Sequence, residues 1–253
     1  MRIASVFEQF EISKIINLGI TDKMDLSITN ASLFMIISLG IYIFLYTTSG
    51  LAEGRLIPGR VQAILEGLYD LVKGIVSENI GGAVKGNKYM PWIMSLFMMI
   101  LILNLMGLVP YTFSPTSHIA FTLGLSFSIW IGVTLLGVVN YGSNYLSMFM
   151  PGGSPIVLAP FMVTLEMISH TAKAISLGVR LAANITAGHI LFVILAGFIW
   201  KMMLYGGIIA IGSMIPLAIM AVVTVIEMGV AVIQAYVFSL LTAIYISESE
   251  ELH

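Results

Sequence analysis

Cysteine is absent from the sequence, which removes disulfides, thiolate metal sites and thiol catalysis together. Charge is scarce. Asp, Glu, Lys and Arg make up 9% of the 253 residues, against about a quarter in a soluble domain. Water alone cannot solvate a surface so poor in charge, so lipid must cover much of it. There is no basic run, and the net charge is −2, so nothing in the charge points to nucleic acid. The first residues, MRIASVFEQFEISK, mix acids with apolar side chains and lack a clean hydrophobic run, which makes a poor signal peptide. What is abundant is hydrophobicity, at 58% of residues.

The apolar residues fall into runs. Ile28 to Thr48 is uncharged and near the ~20 residues that cross a bilayer. Pro58 to Ile80 alternates differently. Val61, Ile64, Leu65, Leu68, Val72, Ile75 and Val76 are apolar, and Gln62, Glu66, Asp70 and Lys73 are polar. That is helical period with one wet and one greasy face, begun by a proline suited to a first turn. Between two spans it reads as a helix lying in the membrane interface. Met90 to Val109 is the second span, ended by Pro110 and Pro115, and Ile119 to Tyr141 is the third. The third carries Ala120, Gly124, Ser128 and Gly132 at spacing four, a row that lets helices approach closely in lipid. A loop with Pro151, Gly152, Gly153 and Pro155 follows.

Two longer stretches complete the chain, Ala159 to Trp200 and Ile208 to Ser247, the second interrupted only early, by Pro216. As single helices each is about 60 Å long at about 1.5 Å per residue, twice a bilayer core of about 30 Å. Neither has a turn signal at its middle, so the expectation is a hairpin of two long tilted helices, bent at Gly206 and Gly207. The fold class is therefore an all-α integral membrane protein. It has about three upright transmembrane helices, one interfacial amphipathic helix and this steeply tilted hairpin, in one membrane-embedded domain over residues 1–253. Arg55, Arg60, Lys73, Lys85 and Lys88 lie between the first two spans. The positive-inside rule puts that segment on the cytoplasmic or matrix side, the N-terminus outside and the acidic tail SESEELH inside.

Between Tyr89 and Ser247 the charged residues are Glu166, Lys173, Arg180, Lys201 and Glu227. Lys201 sits near a helix end and can snorkel. The others are expensive, since a central Arg, Lys or Asp costs roughly 2.5–3.5 kcal/mol even on insertion scales. At 3.6 residues per turn, Glu166, His170, Lys173, Arg180 and Asn184 share an arc of about 80°, with His189 on the opposite side of the helix from Arg180. Glu227 and Gln234, seven apart, share a face of the second long helix. Two such helices together can wet a narrow region from each side of a membrane. Plainer readings stand beside this one: a Glu166 pair with His170 or Lys173 within one helix, a buried His189 bonded to a carbonyl, and Asn184 and Gln234 as interhelical glue. Arg180 resists a plain reading. It has no acid three or four residues away, so its partner belongs to another helix or chain. It also lies in a row of small or short residues, Ala172, Ser176, Asn184 and Gly188, and the second helix has a similar row at Ala231, Ala235, Ser239 and Ala243.

The segment SLGVRLAANITAGHIL, Ser176 to Leu191, resembles subunit a of the rotary F-type ATP synthase. The resemblance extends to GNKYMPWIMSLFMMILILNLMGLVPYTFSPTSH and IEMGVAVIQAYVFSLLTAIYI and covers essentially the whole chain. It implies that Arg180 is the family's essential arginine, a barrier and counter-ion. It implies that Asn184, His189, Glu227 and Gln234 line the proton half-channels, with His189 and Glu227 on the outer side and Glu166 at the inner one. The His189/Glu227 order is exchanged relative to many bacterial members and looks mitochondrial, which implies a multi-pass protein of the mitochondrial inner membrane. His170 and Lys173 are not part of the motif and stand as possible further polar lining.

The implied partners are a ring of small hairpin subunits with one buried carboxylate each (the c-ring), other Fo stator subunits, the lipid bilayer, and in some assemblies a second complex in a dimer. No metal or cofactor is implied. No phosphate loop of the GxxxxGKS type occurs, so coupled ATP chemistry would belong to another subunit and this chain is not catalytic alone. The alternatives are a self-contained secondary transporter or channel, an intramembrane enzyme and a structural scaffold. The first predicts internal repeats and broken helices. The second lacks an HExxH motif. The third leaves the cost of Arg180 unexplained.

Overall fold

The computed structural model describes residues 10–16, 19–21, 24–25, 27–48, 59–81, 83–109, 112–142, 145, 149 and 158–250. Pro58, Arg55, Pro110, the loop prolines and glycines 151–155, and the last three residues of the acidic tail lie outside them, as do residues 1–9. Among the described residues seven α-helices follow one another: α1 (Asn30–Thr48), α2 (Arg60–Asn79), α3 (Ala83–Gly107), α4 (Ile119–Tyr141), α5 (Ala159–Tyr205), α6 (Gly207–Gly212) and α7 (Met214–Glu250). Among the described residues five stretches are long and apolar enough to cross a membrane: Asn30–Thr48, Gly86–Gly107, Ile119–Tyr141, Ala159–Tyr205 and Ile209–Glu250. This is an all-α, multi-pass membrane protein. Ahead of α1, Lys14–Ile16 pairs antiparallel with Ile28–Thr29, and Gly19–Thr21 with Met24–Asp25.

The chain forms two compact units. The first comprises Met1–Thr48, Met99–His118 and Leu181–Gln234; the second comprises Ser49–Met98, Ile119–Arg180 and Ala235–His253. Helices α3, α5 and α7 each contribute to both.

In the first unit, Asn104 is completely buried in α3 and its Nδ2 donates to the Ala231 carbonyl of α7 at 3.4 Å. After α3 a 3₁₀ turn, Pro115–Ser117, is buried. Thr186 Oγ1 of α5 donates to its Ser117 carbonyl at 3.0 Å. His118 stacks on Phe113 with ring centroids 5.1 Å apart, and burial holds its imidazole below the ordinary histidine range. The turn from α5 to α6 uses Gly206 at φ 69° and Gly207 at φ 59°, a left-handed conformation that glycine adopts without steric cost. The second long helix breaks at Ser213, and Pro216 falls in the first turn of α7, where a missing N–H leaves no bond unmade.

In the second unit, α4 meets α5 closely. Ser126 Oγ donates to the Ala174 carbonyl at 2.5 Å, and a methyl built at Gly178 would lie 2.9 Å from the Thr122 carbonyl oxygen. The packed face of α4 is Thr122, Ser126, Ile129, Val133 and Gly137. The row Ala120, Gly124, Ser128 and Gly132 is exposed instead, with open space beside both glycines. Ser126, on the first face, bonds an α5 carbonyl, whereas Ser128, on the second, bonds back to Leu125 O of its own helix. On α2, Val72, Ile75 and Val76 are buried, while Val61, Ile64 and Leu71 keep an apolar flank outward. Gln62, expected on the wet side, is buried and donates to Glu66 Oε1 at 2.8 Å. A carboxylate one turn along lets an amide enter an apolar face.

Candidate functional site

The long helices hold the ionisable residues because α5 runs unbroken for 47 residues. With no proline after Pro160 its carbonyl ladder is complete, and Thr164 and Thr171 bond back onto it without leaving the helix. Arg180 is exposed on α5. Its Nη2 donates to Ser176 Oγ at 3.5 Å, the long limit of a hydrogen bond. Among the described residues no carboxylate forms an ion pair with it. Ala172 and Ser176, two turns and one turn before it, are exposed as well, and so is Asn184 one turn after. The small-residue row of α5 therefore opens outward around the guanidinium. The matching row of α7 does the opposite: Ala231, Ala235, Ser239 and Ala243 are all buried.

The first unit collects Asn184, His189, Glu227 and Gln234. Asn184 Nδ2 donates to Gln234 Oε1 at 3.0 Å, which joins α5 to α7. Gln234 Nε2 is buried with no hydrogen-bond partner among the described residues, as is Oδ1 of Asn104. Glu227 lies directly on the backbone of α5, where a methyl at Gly188 would stand 2.2 Å from Oε1 and 2.6 Å from Cδ. His189, the next residue, faces the ring of Phe10 edge-on with centroids 5.9 Å apart. Its Nε2 lies 3.7 Å from where a Gly107 side chain would begin. No direct hydrogen bond joins His189 to Glu227 among the described residues, so a proton passing between them needs water.

The second unit collects Glu166, His170, Lys173 and Arg180, together with a residue that the sequence reading passed over. Glu248 accepts from Lys173 Nζ at 3.5 Å, and its Oε2 lies 3.9 Å from His170 Nε2. The candidate ion pair of Lys173 is thus with α7 and not with Glu166, which is exposed one turn before His170. Glu248 belongs to what reads as an acidic tail, yet α7 continues through Glu250. Glu250 accepts from the hydroxyl of Tyr89, and its carbonyl accepts from Tyr141 Oη at 2.5 Å. The signal was present: Glu227, Gln234, Tyr245 and Glu248 lie within an arc of about 60° on one helix. Lys201 is exposed near the end of α5.

These residues sit in a chain with clear relatives. The family model described as ATP synthase A chain matches residues 32–247. A protein named ATP synthase subunit a from Metridium senile is 45% identical over 250 residues, covering 99% of each chain. A protein of the same name from Chondrus crispus is 41% identical over 251 residues, covering 99% of this chain and 98% of the relative. Another from Rhodospirillum rubrum is 39% identical over 249 residues, covering 98% and 99%.

Proposed function

Since the chain belongs to the ATP synthase A chain family, we propose that it is the proton-conducting stator subunit of a rotary F-type ATP synthase, with Arg180 separating two offset aqueous half-channels that open onto a rotating ring of small hairpin subunits. One observation carries the reading of Arg180. The guanidinium stands exposed on an apolar helix, bordered by small residues, with no carboxylate partner among the described residues. A guanidinium stays charged in proteins. A membrane-embedded cation of that kind calls for an anion from another chain.

A ring carboxylate passing Arg180 is favoured in its ionised form by the adjacent cation. It must therefore release its proton on one side before reaching Arg180 and take up another after passing it. Arg180 is in this way both counter-ion and block to direct leakage. Lysine would serve less well, because its pKa falls readily on desolvation. Asn184 and Gln234, bonded to each other, border the next turn of the path. His189 and Glu227 serve the outer half-channel, and Glu166 the inner, with Lys173 as further polar lining. The exchanged His189/Glu227 order and the similarity to organellar relatives support a mitochondrial inner membrane, within a complex that holds further stator subunits and forms dimers in some assemblies.

The absence of cysteine provides the test. Ser176→Cys places one thiol a turn from Arg180. Oxidative cross-linking to single cysteines on the small hairpin subunit, near its membrane carboxylate, should yield a defined product. Efficient isolation of the chain as a stand-alone transporter, with no such cross-link, would defeat the reading.

A further inference from the structure

His170 lies on the polar stripe of α5, but its surroundings differ from those of its neighbours. Glu166 and Lys173 are exposed, whereas His170 is 4% exposed. Rings of Tyr245, Trp130 and Phe149 surround it, with centroids at 5.6, 6.1 and 6.3 Å. Trp130 of α4 donates its Nε1–H to Nδ1 of His170 at 2.6 Å. An indole nitrogen can only donate, so Nδ1 carries no proton while that bond stands. The proton of the neutral ring then sits on Nε2, the nitrogen that faces Glu248. A ring carrying protons on both nitrogens would lose the Trp130 bond.

Glu248 is flanked on both oxygens. Lys173 Nζ is 3.5 Å from Oε1, and His170 Nε2 is 3.9 Å from Oε2. The second separation is longer than a direct hydrogen bond and closes with one bridging water or a small carboxylate rotation. The titratable and charged groups facing the imidazole are Glu166 and Lys173 on α5 and Tyr245 and Glu248 on α7. Trp130 and Phe149 contribute rings and one N–H.

We infer that His170 is a positioning residue: Trp130 fixes its tautomer, and its Nε2–H then aims the Glu248 carboxylate into the polar face that Lys173 and Glu166 share. The consequence for proton transfer rests on the proposed function, in which that face serves the inner half-channel. His170 does not itself carry the proton. A neutral donor on Oε2 orients the carboxylate without trapping it as a second ion pair would.

Three substitutions in the whole complex test this. His170→Gln keeps an acceptor for Trp130 and a donor for Glu248 in one side chain, His170→Phe keeps neither, and Trp130→Phe frees Nδ1. The readout is ATP-driven proton pumping into vesicles across a pH series, normalised to assembled complex. His170→Phe should lower pumping by roughly tenfold, within the range that misplacing a reacting group can cost, and His170→Gln should restore most of it. Trp130→Phe should pump near the parent rate at neutral pH and show a new loss on the acid side, where the freed ring takes a second proton and clamps Glu248.

Parent rate and pH profile in His170→Phe would overturn the inference. So would a Gln variant as poor as Phe with assembly intact, or an unchanged pH profile in Trp130→Phe. If His170→Phe fails to assemble, the other two variants decide. Arg180→Ala in the same preparation separates the two levels. Normal pumping there would defeat the proton-path reading itself, whereas blocked pumping beside indifferent His170 variants would defeat only this inference.

Discussion

Gly188→Ala is the most informative small change in the first unit. The added methyl would stand 2.2 Å from Oε1 of Glu227, 2.6 Å from Cδ and 3.0 Å from Oε2. Ordinary contact begins at 3.4 Å, so the carboxylate must withdraw by about 1.2 Å, the difference between 3.4 and 2.2 Å. The obstacle is the far end of a flexible side chain, so α5 and α7 need not separate. A carboxylate forced off its rotamer costs only about 0.5–1.5 kcal/mol, and assembly should survive. Function should not survive equally well, because moving a reacting group by about 1 Å can cost up to about 10²-fold in rate. We expect ATP-driven proton pumping in vesicles to fall between roughly ten- and a hundredfold at normal complex abundance. Glu227→Asp, one methylene shorter, should recover part of the loss when combined with Gly188→Ala and not alone. Parent-level pumping in assembled Gly188→Ala would refute the premise that the seat of Glu227 on α5 matters.

Other substitutions separate packing from transfer. Gly178→Ala meets backbone and not a side-chain tip, with Thr122 O at 2.9 Å and Leu123 Cα at 3.0 Å. It should therefore destabilise by about 1–3 kcal/mol through overpacking, read as a lowered melting temperature of the complex, whereas Gly124→Ala on the exposed row of α4 should leave this chain's own stability unchanged. Asn184→Ala removes the 3.0 Å bond to Gln234. An interhelical bond in a membrane averages only about 0.6 kcal/mol, so abundance should hold while pumping falls; loss of the assembled chain would show that the pair is structural glue.

Much of this architecture was legible because hydrophobic runs and helix breakers are strong local signals. The third span was expected at Ile119 to Tyr141 and α4 occupies those residues. The first long stretch is one helix, α5, while the second is divided into α6 and α7, with Gly206 and Gly207 at positive φ between α5 and α6. Boundaries failed where polarity masked helix. The second span was expected from Met90, but α3 begins at Ala83 and carries Pro91 within it. Lys85 and Lys88 were placed between the spans, although polar residues can extend a helix past its apolar core.

The candidate site divides the same way. Residues on one helix face were found by period alone, and Asn184 and Gln234 do meet across α5 and α7. Tertiary partners were not found by period. Glu248 was read as part of a solvated tail, and the bond that ties His170 to Trp130 links residues 40 apart in the chain. The packed face of α4 is set by the fit of Ser126 to an α5 carbonyl, which no count of small residues reveals.

The central claim is that Arg180 divides the proton path. Its most direct test is ATP synthesis driven by an imposed pH gradient, in vesicles carrying fully assembled complex with Arg180→Ala. No synthesis above the uncoupled background is expected, with complex abundance equal to the parent. Synthesis at the parent rate would contradict the account.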